Sequence, residues 1–299
     1  MRRRTLGKDP KLFIKDLWFE KVPVRIYQPK APSASQRRGV VFFHGGGWIF
    51  GSLETHEELC RFLARESESV VVSPLSTNTP AAYEDCLNAT LHFLQHLQHY
   101  GVDPARVTVC GDSAGGNLAA AVSQTLAGSS DLPRLRAQIL IYPGLQALDF
   151  NLPSYQQNRE SLCCSGNALL STCSHIPVDV KLKYRKWVSP DNIPKEFKVR
   201  GYKPRTVKRF CEPTLCPLLA EDTVIQQLPE SFILTCEYDV LRDDGLLYKK
   251  RLEDNGVPVT WYHLEDGFHG IINSFNSDWF SFPAGKRGLE NIVNFLRSL

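Results

Sequence analysis

No stretch of this 299-residue sequence approaches the roughly 18 consecutive apolar residues that would span a bilayer. The basic start Met1-Arg2-Arg3-Arg4 leads to Lys8-Asp9-Pro10 rather than to the apolar core of a signal peptide, so the chain as given reads as soluble. Charge of one sign is also scarce. Lys plus Arg number 35 against 32 Asp plus Glu, a net +3, spread along the chain, which argues against nucleic acid as a partner. There is no Cys-x-x-Cys pair and no His/Cys cluster at zinc-finger spacing, so no structural metal is expected. No Gly-Lys-Ser or Gly-Lys-Thr follows the glycines at 45–47, which removes a phosphate-cradling loop. Internal repeats are absent.

The cysteines that are present, at 60, 86, 110, 163, 164, 173, 211, 216 and 236, are many for a cytosolic enzyme and too dispersed for a disulfide scaffold. Their odd number leaves at least one unpaired. The tripeptide Asn88-Ala89-Thr90 is a glycosylation sequon in a secretory compartment, or a chance tripeptide on a helix.

The length fits one large α/β domain over residues 1–299. Residues 22–28 alternate in strand fashion, with Pro23 pointing to an edge strand, and 30–39 read as an exposed loop. The continuous apolar run 40–44 suits a buried parallel strand. Helical spacing over 55–67, a strand at 70–72 and a helix over 82–100 closed by Gly101 follow. Strand patterns recur at 107–111, 137–143, 231–236 and 257–263, and helical ones after 114, over 245–255 and over 287–299. Such alternation predicts a mostly parallel, doubly wound sheet with right-handed crossovers. Residues 150–215 break the rhythm with scattered Pro, Cys, Lys and Arg and read as a cap or lid inserted above the sheet.

Chemistry concentrates in three places. Val107-Thr-Val-Cys-Gly111-Asp112-Ser113-Ala114-Gly115-Gly116 fits a strand, a sharp turn and a helix, with Ser113 lifted on the bend as a nucleophile. The flanking glycines leave room where the backbone is strained and crowded, and the amides of the following helix face the reaction centre. The motif is short and also occurs in unrelated loops. His44-Gly45-Gly46-Gly47 follows a buried strand, and its successive N–H groups, with that of Ala114, can converge on an oxyanion. His44 itself reads as a hydrogen-bonding brace for that loop.

A serine hydroxyl needs a base, and the base needs an orienting acid. Asp239 lies just past a predicted strand, at the carboxyl end where open α/β sheets build their sites, and His269 sits between Phe268 and Gly270 beyond the last one. Asp239 would hold Nδ1–H and leave Nε2 to accept the Ser113 proton. Asp243 and Asp244, where carboxylates favour a helix start, stay as minor alternatives. Asp266 reads as a turn residue, His92, His96 and His99 as a solvated helix face, and His56 and His263 as structural.

Together His44-Gly-Gly-Gly47, Gly111-Asp-Ser-Ala-Gly-Gly116, Tyr238-Asp-Val-Leu-Arg-Asp-Asp-Gly245 and Glu265-Asp-Gly-Phe-His269 closely resemble the hormone-sensitive-lipase group of α/β-hydrolases, in particular its arylacetamide deacetylase and deacetylase-like branch. The resemblance runs from about Val22 to the C-terminus. It implies a carboxylesterase of the esterase, lipase or deacetylase type with Ser113, Asp239 and His269 as triad. No cofactor is implied, and the substrates would be small-molecule or lipid esters, or arylamides.

The sequence departs from that family in three ways. Its members usually carry an N-terminal anchor in the endoplasmic reticulum membrane, and this chain begins after where one would lie. Their Tyr-Arg-Leu-Ala-Pro-like segment is replaced after Ser73 by Pro74-Leu-Ser-Thr-Asn-Thr-Pro-Ala-Ala-Tyr83, as if by deletion, and residues 161–173 do not resemble the expected cap helices. The expectation is a single-pass, lumen-facing enzyme of which this is the catalytic part or a shortened isoform. The rival class is a hydrolase-fold binding protein with weak or no activity; such proteins have typically replaced the histidine that stands here at 269.

Overall fold

A computed structural model describes residues 9–47, 51–75, 81–146, 149–159, 213–275 and 282–299. Eight strands form one sheet: β1 (Leu12–Phe19), β2 (Val22–Pro29), β3 (Arg37–Phe43), β4 (Val70–Pro74), β5 (Val102–Asp112), β6 (Ala137–Ile141), β7 (Glu230–Tyr238) and β8 (Val259–Phe268). Their order across the sheet is β1-β2-β4-β3-β5-β6-β7-β8. Contacts of β3 with β4 and β5, and each pair onward to β8, are parallel, while β1–β2 and β2–β4 are antiparallel. The expected mostly parallel α/β-hydrolase sheet is therefore what the chain builds.

Strand side chains alternate between two cores, as a sheet covered on both faces requires. Val41 and Phe43 face one core with Ala89 and Phe93 of helix α2 (Ala81–Gln95) and Leu118 and Val122 of helix α3 (Ala114–Leu126). Val40 and Phe42 face the other, with Leu59 and Leu63 of helix α1 (Glu57–Ser67) and Ile292 and Leu296 of the C-terminal helix Pro283–Ser298. Each such side chain fully buried contributes roughly 1.5–3 kcal/mol, so the two faces, not one, hold the sheet. The helix Arg242–Asp254 joins the first core through Tyr248 and Leu252.

Three expectations need correction. Pro23 does not mark an edge: β2 lies between β1 and β4, and Pro23 is the second residue of its strand, opposite Trp18, a strand-end position where a missing N–H costs little. The edge is β1, unforeseen because Lys15, Asp16 and the exposed Trp18 break its apolar pattern. The last strand continues to Phe268 instead of stopping at 263, so Asp266 is a strand residue, ion-paired with Arg287 at 2.5 Å, and not a turn. The helix over 82–100 ends at Gln95, and a 3-10 turn, Leu97–Tyr100, carries the chain to Gly101.

Of the expected cap at 150–215, the described residues include the short helix Pro153–Gln157 and residues 213–215; the unusual stretch 161–173 and Cys163, Cys164, Cys173 and Cys211 lie outside them, as do residues 76–80 in the shortened segment after Ser73. No helix among the described residues is long and apolar enough to cross a membrane.

Candidate active site

Parallel strands deliver their carboxyl ends to one edge of the sheet, and all the candidate residues sit there. β3 ends at Phe43 before His44, β5 at Asp112 before Ser113, β7 at Tyr238 before Asp239, and β8 at Phe268 before His269. Pairings Phe43↔Gly111 and Tyr238↔Phe268 keep these ends level.

Ser113 has φ +57° and ψ −119°, a conformation that is costly for a residue with a side chain. It is held by its neighbours: Ser113 N–H donates to the Ile141 carbonyl at 2.9 Å, and the Ser113 carbonyl accepts the Asn117 N–H at 3.1 Å. The crowding forecast for the elbow is present. A side-chain carbon at Gly111 would run into the Gly115 carbonyl, and one at Gly116 would come within 2.9 Å of Pro143 Cβ.

Ser113 Oγ lies 2.8 Å from His269 Nε2, and His269 Nδ1 lies 2.9 Å from Asp239 Oδ2. Asp239 is fully buried, and its Oδ1 accepts the Leu241 N–H at 2.8 Å. Because a carboxylate only accepts, the contact fixes the proton on Nδ1 and leaves Nε2 facing the serine. The ring is backed by Tyr142, 4.9 Å away between centroids. Tyr142 itself holds φ +35° while fully buried; sequence reasoning passed it over, since its only signal is its place after the strand at 137–141, just before Pro143.

In the glycine loop, His44 Nδ1 donates to the Gly45 carbonyl at 2.9 Å, the brace expected of it, and burial lowers the pKa of the ring. Gly45 departs from expectation. Its N–H donates to Asp112 Oδ1 at 2.8 Å, so it is committed and not offered to a substrate oxygen. Gly46, with φ +127°, and Gly47, with φ +61°, retain the backbone turn that only glycine adopts readily.

The minor alternatives to Asp239 are occupied elsewhere. Asp243 accepts the Ser154 N–H and pairs with Arg242. Asp244 is fully buried, accepts the Leu145 N–H and the Gln146 side-chain amide, each at 3.0 Å, and burial pushes its pKa up to about 7. His263 bridges Thr235 and Glu237 on the outer strand pair. His92 stacks between Phe19 and His96, each 4.3 Å away. Among the described residues no group of three or more His, Cys, Asp or Glu could hold a metal ion.

Asp112 is the residue whose importance the sequence did not disclose. It is buried beside Ser113 and gathers Gly45 N–H, His56 Nε2 at 3.1 Å and Asn273 Nδ2 at 3.1 Å around one carboxylate. Its position between Gly111 and Ser113, polar at the end of a buried strand, was the available signal. Burial opposes ionisation of either partner, but the pairing prevails: it raises the His56 pKa and, with the Gly45 and Asn273 donors, keeps the Asp112 carboxyl below its ordinary value.

A family model for the alpha/beta hydrolase fold matches residues 40–208 and 196–273. The chain belongs to the α/β-hydrolase family. Within it, this hydrolase is 48% identical over 329 residues to human arylacetamide deacetylase-like 4, covering 98% of this chain and 80% of that protein. The alignment is longer than the chain itself, so the relative carries stretches without a counterpart here. Rat arylacetamide deacetylase is 40% identical, over 88% of this chain and 76% of that one, and rat neutral cholesterol ester hydrolase 1 is 37% identical, over 98% and 82%. These relatives place the hydrolase in the arylacetamide deacetylase branch. Among solved structures, a hyperthermophilic esterase from Pyrobaculum calidifontis superposes with a TM-score of 0.73 at 26% identity, covering 96% of this chain and 85% of that one.

Proposed function

We propose that this hydrolase cleaves carboxylic esters through an acyl-enzyme on Ser113, with His269 and Asp239 completing the triad. That it is a carboxylic ester hydrolase follows from its family; the mechanism rests on the unbroken contact chain Ser113 Oγ to His269 Nε2 to Asp239. Ser113 Oγ attacks the ester carbonyl as its proton passes to His269 Nε2, and Asp239 steadies the imidazolium that forms. Charge on the carbonyl oxygen is taken up by the N–H groups of Gly46, Gly47 and Ala114, Gly45 being spent on Asp112; each such donor is worth roughly 3–4 kcal/mol in the transition state. The tetrahedral adduct then expels the alcohol, which takes its proton from His269. Water, deprotonated by the same ring, cleaves the acyl-enzyme to the free acid and restores Ser113.

The substrates are small-molecule or lipid esters, and the deacetylase relatives extend the range to arylamides. A silent binding protein would need no ordered Ser113–His269–Asp239 chain, which favours the enzyme. A serine-reactive fluorophosphonate and a short p-nitrophenyl ester test the reading: labelling and turnover are expected in the wild type and absent from Ser113→Ala, and turnover absent from His269→Ala. Labelling that survives Ser113→Ala would place the nucleophile elsewhere, and tight ligand binding without turnover would make it a binding protein.

The same family supports a lumen-facing position at the endoplasmic reticulum membrane. Asn88 lies exposed on α2, so protein expressed through the secretory pathway is expected to shift in mass on glycosidase treatment. An Asn88→Gln protein of unchanged mobility beside the wild type would count against this placement.

A further inference from the structure

Asp112, His56 and Asn273 come from three separate segments. Asp112 ends β5 one residue before the nucleophile, His56 immediately precedes α1, and Asn273 lies in the 3-10 turn Ile271–Ser274 just after His269. Around the Asp112 carboxylate they meet a fourth, the glycine loop, through Gly45 N–H at 2.8 Å. A side-chain carbon at Gly45 would come within 2.6 Å of Asp112 Oδ2, so loop and carboxylate are in direct contact.

Both ring nitrogens of His56 are hydrogen-bonded. The Thr55 hydroxyl has one proton, and it donates to the Ser52 carbonyl at 2.8 Å. The same hydroxyl lies 2.8 Å from His56 Nδ1. His56 Nε2 meets Asp112 at 3.1 Å, and a carboxylate can only accept, so Nε2 carries a proton. The ring is buried with 6% exposure against a carboxylate exposed by 2%, and that carboxylate raises its pKa.

We propose that His56 and Asn273 are positioning residues for ester hydrolysis: through Asp112 they lock the glycine loop to the turn that carries His269, setting the distance between the oxyanion donors and the base. When protonated, the His56 ring also cancels a buried negative charge that would otherwise stand one residue from Ser113 and oppose the developing oxyanion. This role rests on the triad reading above, and a loosened clamp should leave substrate binding alone while weakening the transition state.

The test compares wild type with His56→Ala, His56→Gln, Asn273→Ala and Ser113→Ala. Each is assayed for kcat and KM on a short p-nitrophenyl ester, for inhibition by a trifluoromethyl ketone that forms a tetrahedral oxyanion adduct, and for Tm. Expected for His56→Ala is a kcat lowered roughly 100-fold with KM within about twofold, and inhibitor affinity falling in step. His56→Gln, which keeps a donor towards Asp112 without the charge, should recover part of the loss. Asn273 is exposed, so Asn273→Ala should fold with wild-type Tm and still lose roughly tenfold in kcat. If Asn273→Ala, and His56→Ala where it folds, keep wild-type kcat and inhibitor affinity, the proposal is overturned while an inert Ser113→Ala leaves the triad standing. Should Ser113→Ala itself turn over ester, both fall together.

Discussion

The α-carbon of Gly115 rests directly on the carbonyl of Phe43, so closely that a side-chain carbon there would overlap the carbonyl oxygen. Through this contact the first turn of α3 is seated on the end of β3, and the elbow that carries Ser113 is held beside the glycine loop. Backbone on both sides leaves neither partner free to give way. Gly115→Ala is therefore expected to lower Tm sharply or prevent soluble expression, at a cost of roughly 1–3 kcal/mol or more. Gly128→Ala, where the nearest atom is 3.9 Å away, should stay within about 0.5 kcal/mol of wild type. Thermal melts of the two purified proteins check the contrast.

Asp239→Asn keeps the volume of the acid and loses its ability to hold the Nδ1 proton. Folding is expected to be unchanged, because an amide oxygen can still accept the Leu241 N–H. By the precedent of a serine protease, kcat should fall roughly 10,000-fold; steady-state kinetics on a p-nitrophenyl ester, with a melt as control, measures this.

Asp244 gives the fold a pH dependence with a definite sign. Burial, outweighing the hydrogen bonds it receives, raises its pKa from 3.8 to about 7. The folded protein then holds a proton that the unfolded chain has released, so stability falls as pH rises from about 4 to 7. The contribution is full below the unfolded value and gone above about 7. Asn at this position cannot ionise. Denaturant unfolding of wild type and Asp244→Asn at pH 5 and pH 8 should show the variant gaining relative to wild type at the higher pH; equal differences at both would refute the assignment.

Cys60, Cys86, Cys110 and Cys236 are free and buried, and burial pushes their thiols well up. Thiolate is the reactive form, so the peptides carrying these cysteines should take up iodoacetamide at pH 8 only after denaturation. Mass spectrometry of native and unfolded samples reads this directly.

What could be foreseen follows a physical divide. Ser113 and the glycines around it were legible because the elbow's crowding is local: Gly111, Ser113 and Gly115 constrain one another within five residues. The two cores were legible for the same reason, since Val40 to Phe43 and Val70 to Val72 carry unbroken apolar runs. β8 was cut short because Glu265-Asp266-Gly267 has the composition of a turn. At the outer rim of the sheet polar side chains can face water, and a register irregularity between Cys236 and Tyr238 accommodates the extra residues, with Gly267 fitting where a side-chain carbon would come within 2.6 Å of Leu264. The commitment of Gly45 to Asp112 was beyond sequence patterning, since residues 45, 56, 112 and 273 share no spacing and meet only when three strand ends and the start of α1 are in place.

Ser113 and His269 stand 156 positions apart along the chain, and the histidine is supplied by the turn after the outermost strand. A nascent chain therefore passes through about half of its synthesis holding Ser113 without His269, and Asp239 too arrives before that histidine. On the proposed triad, catalytic competence is delayed until the final strand has docked, so truncated products released early would be inert, and the appearance of turnover marks the moment at which the sheet is complete.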